Sequence, residues 1–237
     1  MNKYISLWSG PRNVSTALMY SFAQRSDIRV VDEPFFGVFL NRYPHLYRPS
    51  RAEVMRSMPL QETEVLAQLQ QKEQPAARLF LKNMVNHWPL VNWEKKKDWQ
   101  HVFLFRDPQP VIESFSKQVE EPQLFDLGYA EQLNAIMELE QAEIPFYLLQ
   151  SEAILKNPKA ELTKLCEFLN IPFKPAMLSW PAQARSEDGP WAKYWYHNVH
   201  QSTGFAPYTE KKYNLSPQFQ ALADEATMHY QKILSYL

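Results

Sequence analysis

The chain has 237 residues, 45% of them hydrophobic, which is enough to bury a sizeable core in one domain or at most two. Its 25 lysines and arginines face 26 aspartates and glutamates, a formal charge of −1, so it has no general attraction to nucleic acid or an acidic membrane surface. One cysteine, Cys166, excludes an internal disulfide and a cysteine-based metal cluster.

In chain order, five apolar or β-branched runs bounded by turn or cap residues read as strands: Lys3 to Ser9, Ile28 to Asp32, Arg78 to Lys82, His101 to Arg106 and Pro145 to Gln150. The intervals between them are long enough for helical crossovers. This favours a parallel sheet covered on both faces. Apolar residues at helical spacing predict helices over Val14 to Arg25, Glu62 to Lys72, Asp126 to Ala142 and Pro158 to Asn170. Asp107 caps a further helix with Pro108 in its first turn, and Ser216-Pro217 opens a last one running toward Leu234. Ser151-Glu152 reads as a turn, and Cys166 as a buried helical thiol.

Ile171 to Pro207 is different in kind. It is rich in proline, carries Trp191, Tyr194, Trp195, Tyr196 and Phe205, and has Gly189 and Gly204 as hinges, with Tyr208 just beyond. We read 171–208 as irregular structure, either closing over a site as a lid or packed on the surface by its own aromatics. The chain enters its first strand at once, without the longer apolar stretch of a leader or a membrane span, so the cytoplasm is the expected compartment.

Two segments carry the chemistry. Ser9-Gly10-Pro11-Arg12-Asn13-Val14-Ser15-Thr16 follows the first strand and feeds a helix, and Arg106-Asp107-Pro108, with Ser114 downstream, does the same after the fourth. A helix N-terminus offers unpaired N–H groups and a partial positive charge, which suits phosphate. Two such segments suggest a ligand with two separated phosphates. Ser, Thr and Asn are also ordinary helix caps, and Arg106 at a strand end also reads as a surface ion pair. The pattern Gly-x-x-x-x-Gly-Lys-Ser/Thr of a nucleotide-hydrolysing P-loop is absent.

These residues resemble the PAPS-dependent sulfotransferase family. Pro11 to Thr16 is similar to that family's P-loop-like 5′-phosphosulfate loop, with Arg12 at its Lys/Arg position. Arg106-Asp107-Pro108…Ser114 is similar to its 3′-phosphate element, and Phe168-Leu169-Asn170-Ile171-Pro172 to the stretch after its last sheet strand. The resemblance implies a three-layer α/β fold with a mainly parallel five-stranded sheet, helices on both faces and a C-terminal aromatic lid. It also implies 3′-phosphoadenosine 5′-phosphosulfate (PAPS) as co-substrate, adenosine 3′,5′-bisphosphate (PAP) as product, and no metal. By that likeness Arg12 contacts the phosphosulfate, the backbone from Asn13 to Thr16 holds the 5′-phosphate, and Arg106 and Ser114 hold the 3′-phosphate.

A hydroxyl acceptor needs a base. Glu33, after the second strand in Val30-Val31-Asp32-Glu33-Pro34, is the first choice. Asp32 and Glu33 also read as plain strand-end carboxylates. The second choice is His87, in Lys82-Asn83-Met84-Val85-Asn86-His87-Trp88, where the resemblance puts Lys82 beside the transferring group. His87 is displaced from the family's histidine and also reads as a packed side chain. Arg185, Gly189, Ser202, Thr203 and Gly204 are the nearest candidates for a third donor-binding element. The expectation is one sulfotransferase-like domain over 1–237 that moves a sulfuryl group to a hydroxyl or amine of a small acceptor, with a homodimer allowed. A small-molecule or nucleotide kinase, or a non-catalytic nucleotide-binding protein of this fold, is the competing expectation.

Overall fold

Each of the five runs forms a strand. A computed structural model describes residues 3–73, 77–211, 213 and 215–237. Along the chain run β1 (Tyr4–Ser9), α1 (Ser15–Phe22), β2 (Ile28–Asp32), α2 (Phe36–Arg42), α3 (Arg51–Ser57), α4 (Glu62–Lys72) and β3 (Arg78–Met84). A 3₁₀ turn at Val85–Leu90 leads to α5 (Trp93–Lys96), β4 (Gln100–Phe105), α6 (Pro108–Phe115), α7 (Leu124–Leu127), α8 (Tyr129–Gln141) and β5 (Phe146–Gln150). Then come α9 (Ser151–Lys156), α10 (Pro158–Phe168), a 3₁₀ turn at Pro175–Leu178, α11 (Ala192–Trp195), α12 (His197–His200) and, after a 3₁₀ turn at Pro217–Phe219, α13 (Gln220–Leu234).

The sheet is parallel throughout, in the order β2-β3-β1-β4-β5. Its register sets Ser9 opposite Met84 on one side and Leu104 on the other, and Asp32 opposite Lys82. The carboxyl ends therefore finish level, and everything that follows them is delivered to one edge. Alternation along the strands divides the core. Trp8, Leu81 and Phe103 pack with α4, α6, α8 and α13 on one face, and Ile5, Leu7, Phe80 and Leu104 pack with α1, α9 and α10 on the other. Consequently α1 after β1 and α6 after β4 leave to opposite faces, which opens a crevice between the ends of those two strands. That is the topological switch point where open α/β sheets bind ligands.

A third apolar cluster joins Phe36, Phe39, Leu40, Val54, Trp191, Ala192 and Tyr196. It packs α2 and α3 under 191–196, so the lid segment has a core of its own. The lid is less irregular than expected. Prolines crowd its first half, but Ala192 to His200 contains none, and two short helices form there. Three further differences have local causes. Gly128 at φ +76° divides the expected helix over Asp126 to Ala142, because its N–H closes α7 on the Leu124 carbonyl. Ser151-Glu152 opens α9 instead of a turn. β4 ends at Phe105, so Arg106 is the first residue beyond the sheet.

Cys166 is buried against Met177 in the α1/α10 face, and burial pushes its thiol up to about 11, as suits a packing group.

Candidate active site

The loop between β1 and α1 makes its turn at Arg12, whose φ of +55° is costly for a side chain with a Cβ. Neighbours over-determine that conformation. The Asn13 amide donates to the carbonyls of Gly10 at 3.3 Å and Leu104 at 3.2 Å, and Arg106 Nη1 donates to the Arg12 carbonyl at 2.9 Å. A Cβ at Gly10 would lie 2.5 Å from the Leu127 carbonyl oxygen, so only glycine fits there. The first turn of α1 has no side-chain cap hydrogen bond. Its N–H groups face the crevice as donors.

The guanidinium of Arg12 crosses the crevice. Nε donates to Ser114 Oγ at 2.8 Å, and Cζ lies 5.9 Å from the centre of the Trp195 ring. The sequence suggested two separate segments, and the structure brings them together: Arg12 touches both Arg106 and Ser114 although they come from two distant crossovers. Burial and the neighbouring Arg106 charge both hold the Arg12 guanidinium below its usual range. Arg106 Nε is buried without a hydrogen-bond partner, and the Glu152 carboxylate stands 3.7 Å from it. Two adjacent guanidiniums with one carboxylate nearby leave positive charge for an anion to neutralise.

Across the crevice lies a second cluster. Glu33 also takes a left-handed conformation, φ +40°, its N–H donating to the Lys82 carbonyl at 2.7 Å as it leaves β2. That turn brings its carboxylate to Lys82. Lys82 Nζ donates to Glu33 Oε1 at 2.5 Å, to the Tyr196 hydroxyl at 2.6 Å and to Asp32 Oδ1 at 3.1 Å. Burial pushes Asp32 and Glu33 up from the usual carboxylate range, with the Lys82 charge pulling back. Burial alone would lower Lys82, but the two carboxylates outweigh it and hold the ammonium well above its ordinary value. The cluster also latches the lid. Asp32 accepts from the Tyr196 hydroxyl and from the Gly189 N–H at 3.2 Å, and Trp191 Nε1 donates to the same tyrosine oxygen at 2.9 Å. Gly189 lies so close under the Trp191 ring that any Cβ would collide with it, at 2.1 Å.

Both clusters face a single cavity of about 450 Å³. Pro11, Arg12, Asn13, Val14, Ser15, Thr16, Arg106 and Ser114 border one half of it, and Glu33, Lys82 and His87 the other. The anticipated catalytic residues and the anticipated residues of the two donor segments therefore border one space. Trp191, Trp195, Tyr196, Ser202 and Gly204 of the lid segment border it too, whereas Arg185 pairs with Glu187 away from it. Thr203 serves through its backbone, its carbonyl accepting from the Trp180 N–H. The sequence reading missed Phe36, Phe39, Arg48 and Asp126. The two phenylalanines carry the i, i+3 signal of a short amphipathic helix after Pro34, and that signal would have placed them. Nothing local announces that Arg48 pairs with Asp126 at 2.6 Å.

His87 packs against the rings of both Phe36 and Phe39, at 5.9 and 5.2 Å. Burial, with repulsion from Lys82 and Arg48, pushes it down to about 3. His101, under the sheet, is pushed down to about 4 by burial; it accepts from Trp8 Nε1 at Nδ1 and so donates from Nε2 to the Lys96 carbonyl. Both are therefore neutral in the folded chain, while in the unfolded chain each takes up a proton below about 6.5. Their contribution to stability is full above that value and is lost as pH falls through 6.5 toward 4. The limiting slope is about 1.4 kcal/mol per pH unit for each histidine, or roughly 2 kcal/mol each at pH 5. Urea unfolding at pH 7 and pH 5 measures this. His87→Gln should remove about half of the histidine-linked difference, and an unchanged difference would mean that His87 is charged or solvated in the fold.

Among the described residues no group of three or more His, Cys, Asp or Glu side chains is placed to share a metal ion, and no helix is long and apolar enough to cross a membrane.

The parallel sheet thus sets Arg12, Arg106 and Ser114 at its switch point, facing a buried carboxylate–lysine cluster across one cavity. The family model of the sulfotransferase domain matches residues 3–228, and the chain belongs to that family. A solved structure, the sulfotransferase domain from the curacin biosynthetic pathway, shares the fold with a TM-score of 0.58 at 19% identity, over 96% of this chain and 98% of that one. Two Arabidopsis thaliana proteins, branched-chain-amino-acid aminotransferase-like proteins 2 and 1, are 34% and 36% identical over 85% and 88% of this chain. The chain spans only 36% and 37% of their length, so their name describes much larger proteins.

Proposed function

We propose that the protein is a PAPS-dependent sulfotransferase acting on a hydroxyl or amine of a small acceptor. The observation that carries this reading is the joining, in one cavity, of the Arg12–Arg106–Ser114 cradle to the Glu33–Lys82 cluster. The cradle suits a donor with two phosphate-type ends: an uncapped helix start for the 5′ end, and Arg106 with its unpartnered Nε for the 3′-phosphate.

In this reading the N–H groups from Asn13 to Thr16 hold the 5′-phosphate, and Arg12 compensates the charge that develops on the leaving phosphate oxygen. Glu33 receives the acceptor proton. Its burial raises its affinity for a proton, and Lys82 keeps it placed and ionisable. Asp32, Tyr196 and Gly189 hold the lid down, so that water is excluded while acceptor and donor stand in line. His87, neutral and packed, serves as a wall of the acceptor half and not as the base. PAPS supplies the activated sulfuryl group, and the chain supplies position, charge and the proton acceptor.

Thermal unfolding with PAP, and separately with ATP and magnesium, tests the donor assignment. A ligand at a hundred times its Kd adds about 2.7 kcal/mol, which for a chain of this size raises Tm by roughly 5 to 10 °C. A rise with PAP alone is expected. A rise only with ATP and magnesium would contradict the donor assignment and favour the kinase reading.

A further inference from the structure

The two halves of the cavity differ in charge. In the donor half Arg106 stands 3.7 Å from one carboxylate, Glu152, and the adjacent Arg12 forms no ion pair among the described residues. In the other half the balance is reversed. Lys82 is shared by the carboxylates of Asp32 and Glu33, and Arg48, the remaining cation there, is matched by its own partner Asp126. One carboxylate charge is thus left over in a buried setting, where an unpaired charge is expensive and the group must take up either a proton or a cation.

The walls beside it suit a cation. The Phe36 and Phe39 rings lie 6.2 Å apart and 17° from parallel, and the Trp191 ring meets Phe36 edge-on at 4.9 Å. All three border the cavity. The face of an aromatic ring attracts a positive charge, most strongly where water is excluded. Beside both phenylalanines, in the same wall, His87 is 1% exposed and its Nδ1 has no partner, a polar atom that nothing among the described residues satisfies.

We propose that the acceptor is a small amino alcohol, its alkylammonium group lodged among Phe36, Phe39 and Glu33, the carboxylate of the Asp32–Lys82–Glu33 triad that borders the cavity, and its hydroxyl presented to the same Glu33. The hydroxyl end of this assignment rests on the sulfuryl-transfer reading; the cation site does not. In the reaction the hydroxyl oxygen bonds to the donor sulfur as the bond from sulfur to the bridging phosphate oxygen breaks. The hydroxyl proton passes to Glu33, the bisphosphate departs with the electron pair, and the ammonium, having no free lone pair, only binds.

Two measurements test this. With PAPS, kcat/KM for ethanolamine or choline should exceed that for glycolate, and for the uncharged isostere of choline with carbon in place of nitrogen, by on the order of tenfold. Without donor, tetramethylammonium chloride should give a saturable change in tryptophan fluorescence that sodium chloride at equal ionic strength does not, and Phe39→Leu should weaken it by on the order of tenfold. Equal or better turnover of the isostere or of glycolate overturns the proposal, and so does absence of saturable tetramethylammonium binding. Saturable binding with no PAPS-dependent turnover of any alcohol supports the cation site and contradicts sulfuryl transfer, so the two failures are told apart.

Discussion

Glu33→Gln is expected to lower turnover by about two to four orders of magnitude while leaving PAP affinity nearly unchanged. The glutamine oxygen still accepts from Lys82, so the cluster and the lid latch persist, and what disappears is the group that takes the acceptor proton. A companion expectation concerns pH. Burial raises the Glu33 carboxyl above its ordinary range, so wild-type kcat/KM climbs as pH rises through that displaced value, because the base must be ionised. The climb should vanish in the variant. Undiminished turnover in Glu33→Gln would remove Glu33 from the chemistry and return attention to the acceptor's own ionisation.

Arg106→Ala should weaken PAP binding far more than binding of adenosine 5′-monophosphate. Hydrogen bonds to a charged group contribute about 1.5–3 kcal/mol, so a loss of roughly ten- to a hundredfold for the bisphosphate is expected. Part of any loss comes from the Arg106 bond to the Arg12 carbonyl, which braces the loop. That part falls on both nucleotides alike, and the ratio of the two affinities therefore isolates the 3′-phosphate contact. Calorimetric titration of both ligands supplies the ratio. Equal losses would place the 3′-phosphate elsewhere.

The sequence showed the scaffold well because the scaffold's signals are local. Runs such as Ile28 to Asp32 are apolar enough to be buried strands and are bounded by residues that stop them. Arg12 and Arg106 could be placed at one sheet edge because each directly follows such a run. What sequence could not show is how far side chains reach across that edge. Lys82 meets Asp32 and Glu33 after a whole crossover, and Tyr196 returns to the cluster from the other end of the chain. That contact makes the aromatic segment a latched lid, and no periodicity encodes it. Arg12 also shows the limit. Its position in the loop was legible, but its bond to Ser114 depends on the left-handed turn at φ +55° and on two helices leaving the sheet on opposite faces. The helices α2 and α3 were not anticipated, because each is only seven residues long, about two turns, too short for a helical apolar period to stand out.

The most direct test of the central claim is a turnover assay with labelled PAPS in which both the sulfated product and PAP are followed, with and without an amino alcohol acceptor. Product and PAP should appear together, only when acceptor is present, and ATP with magnesium should not replace PAPS. Phosphoryl transfer from ATP, or PAPS breakdown at the same rate without acceptor, would contradict the account.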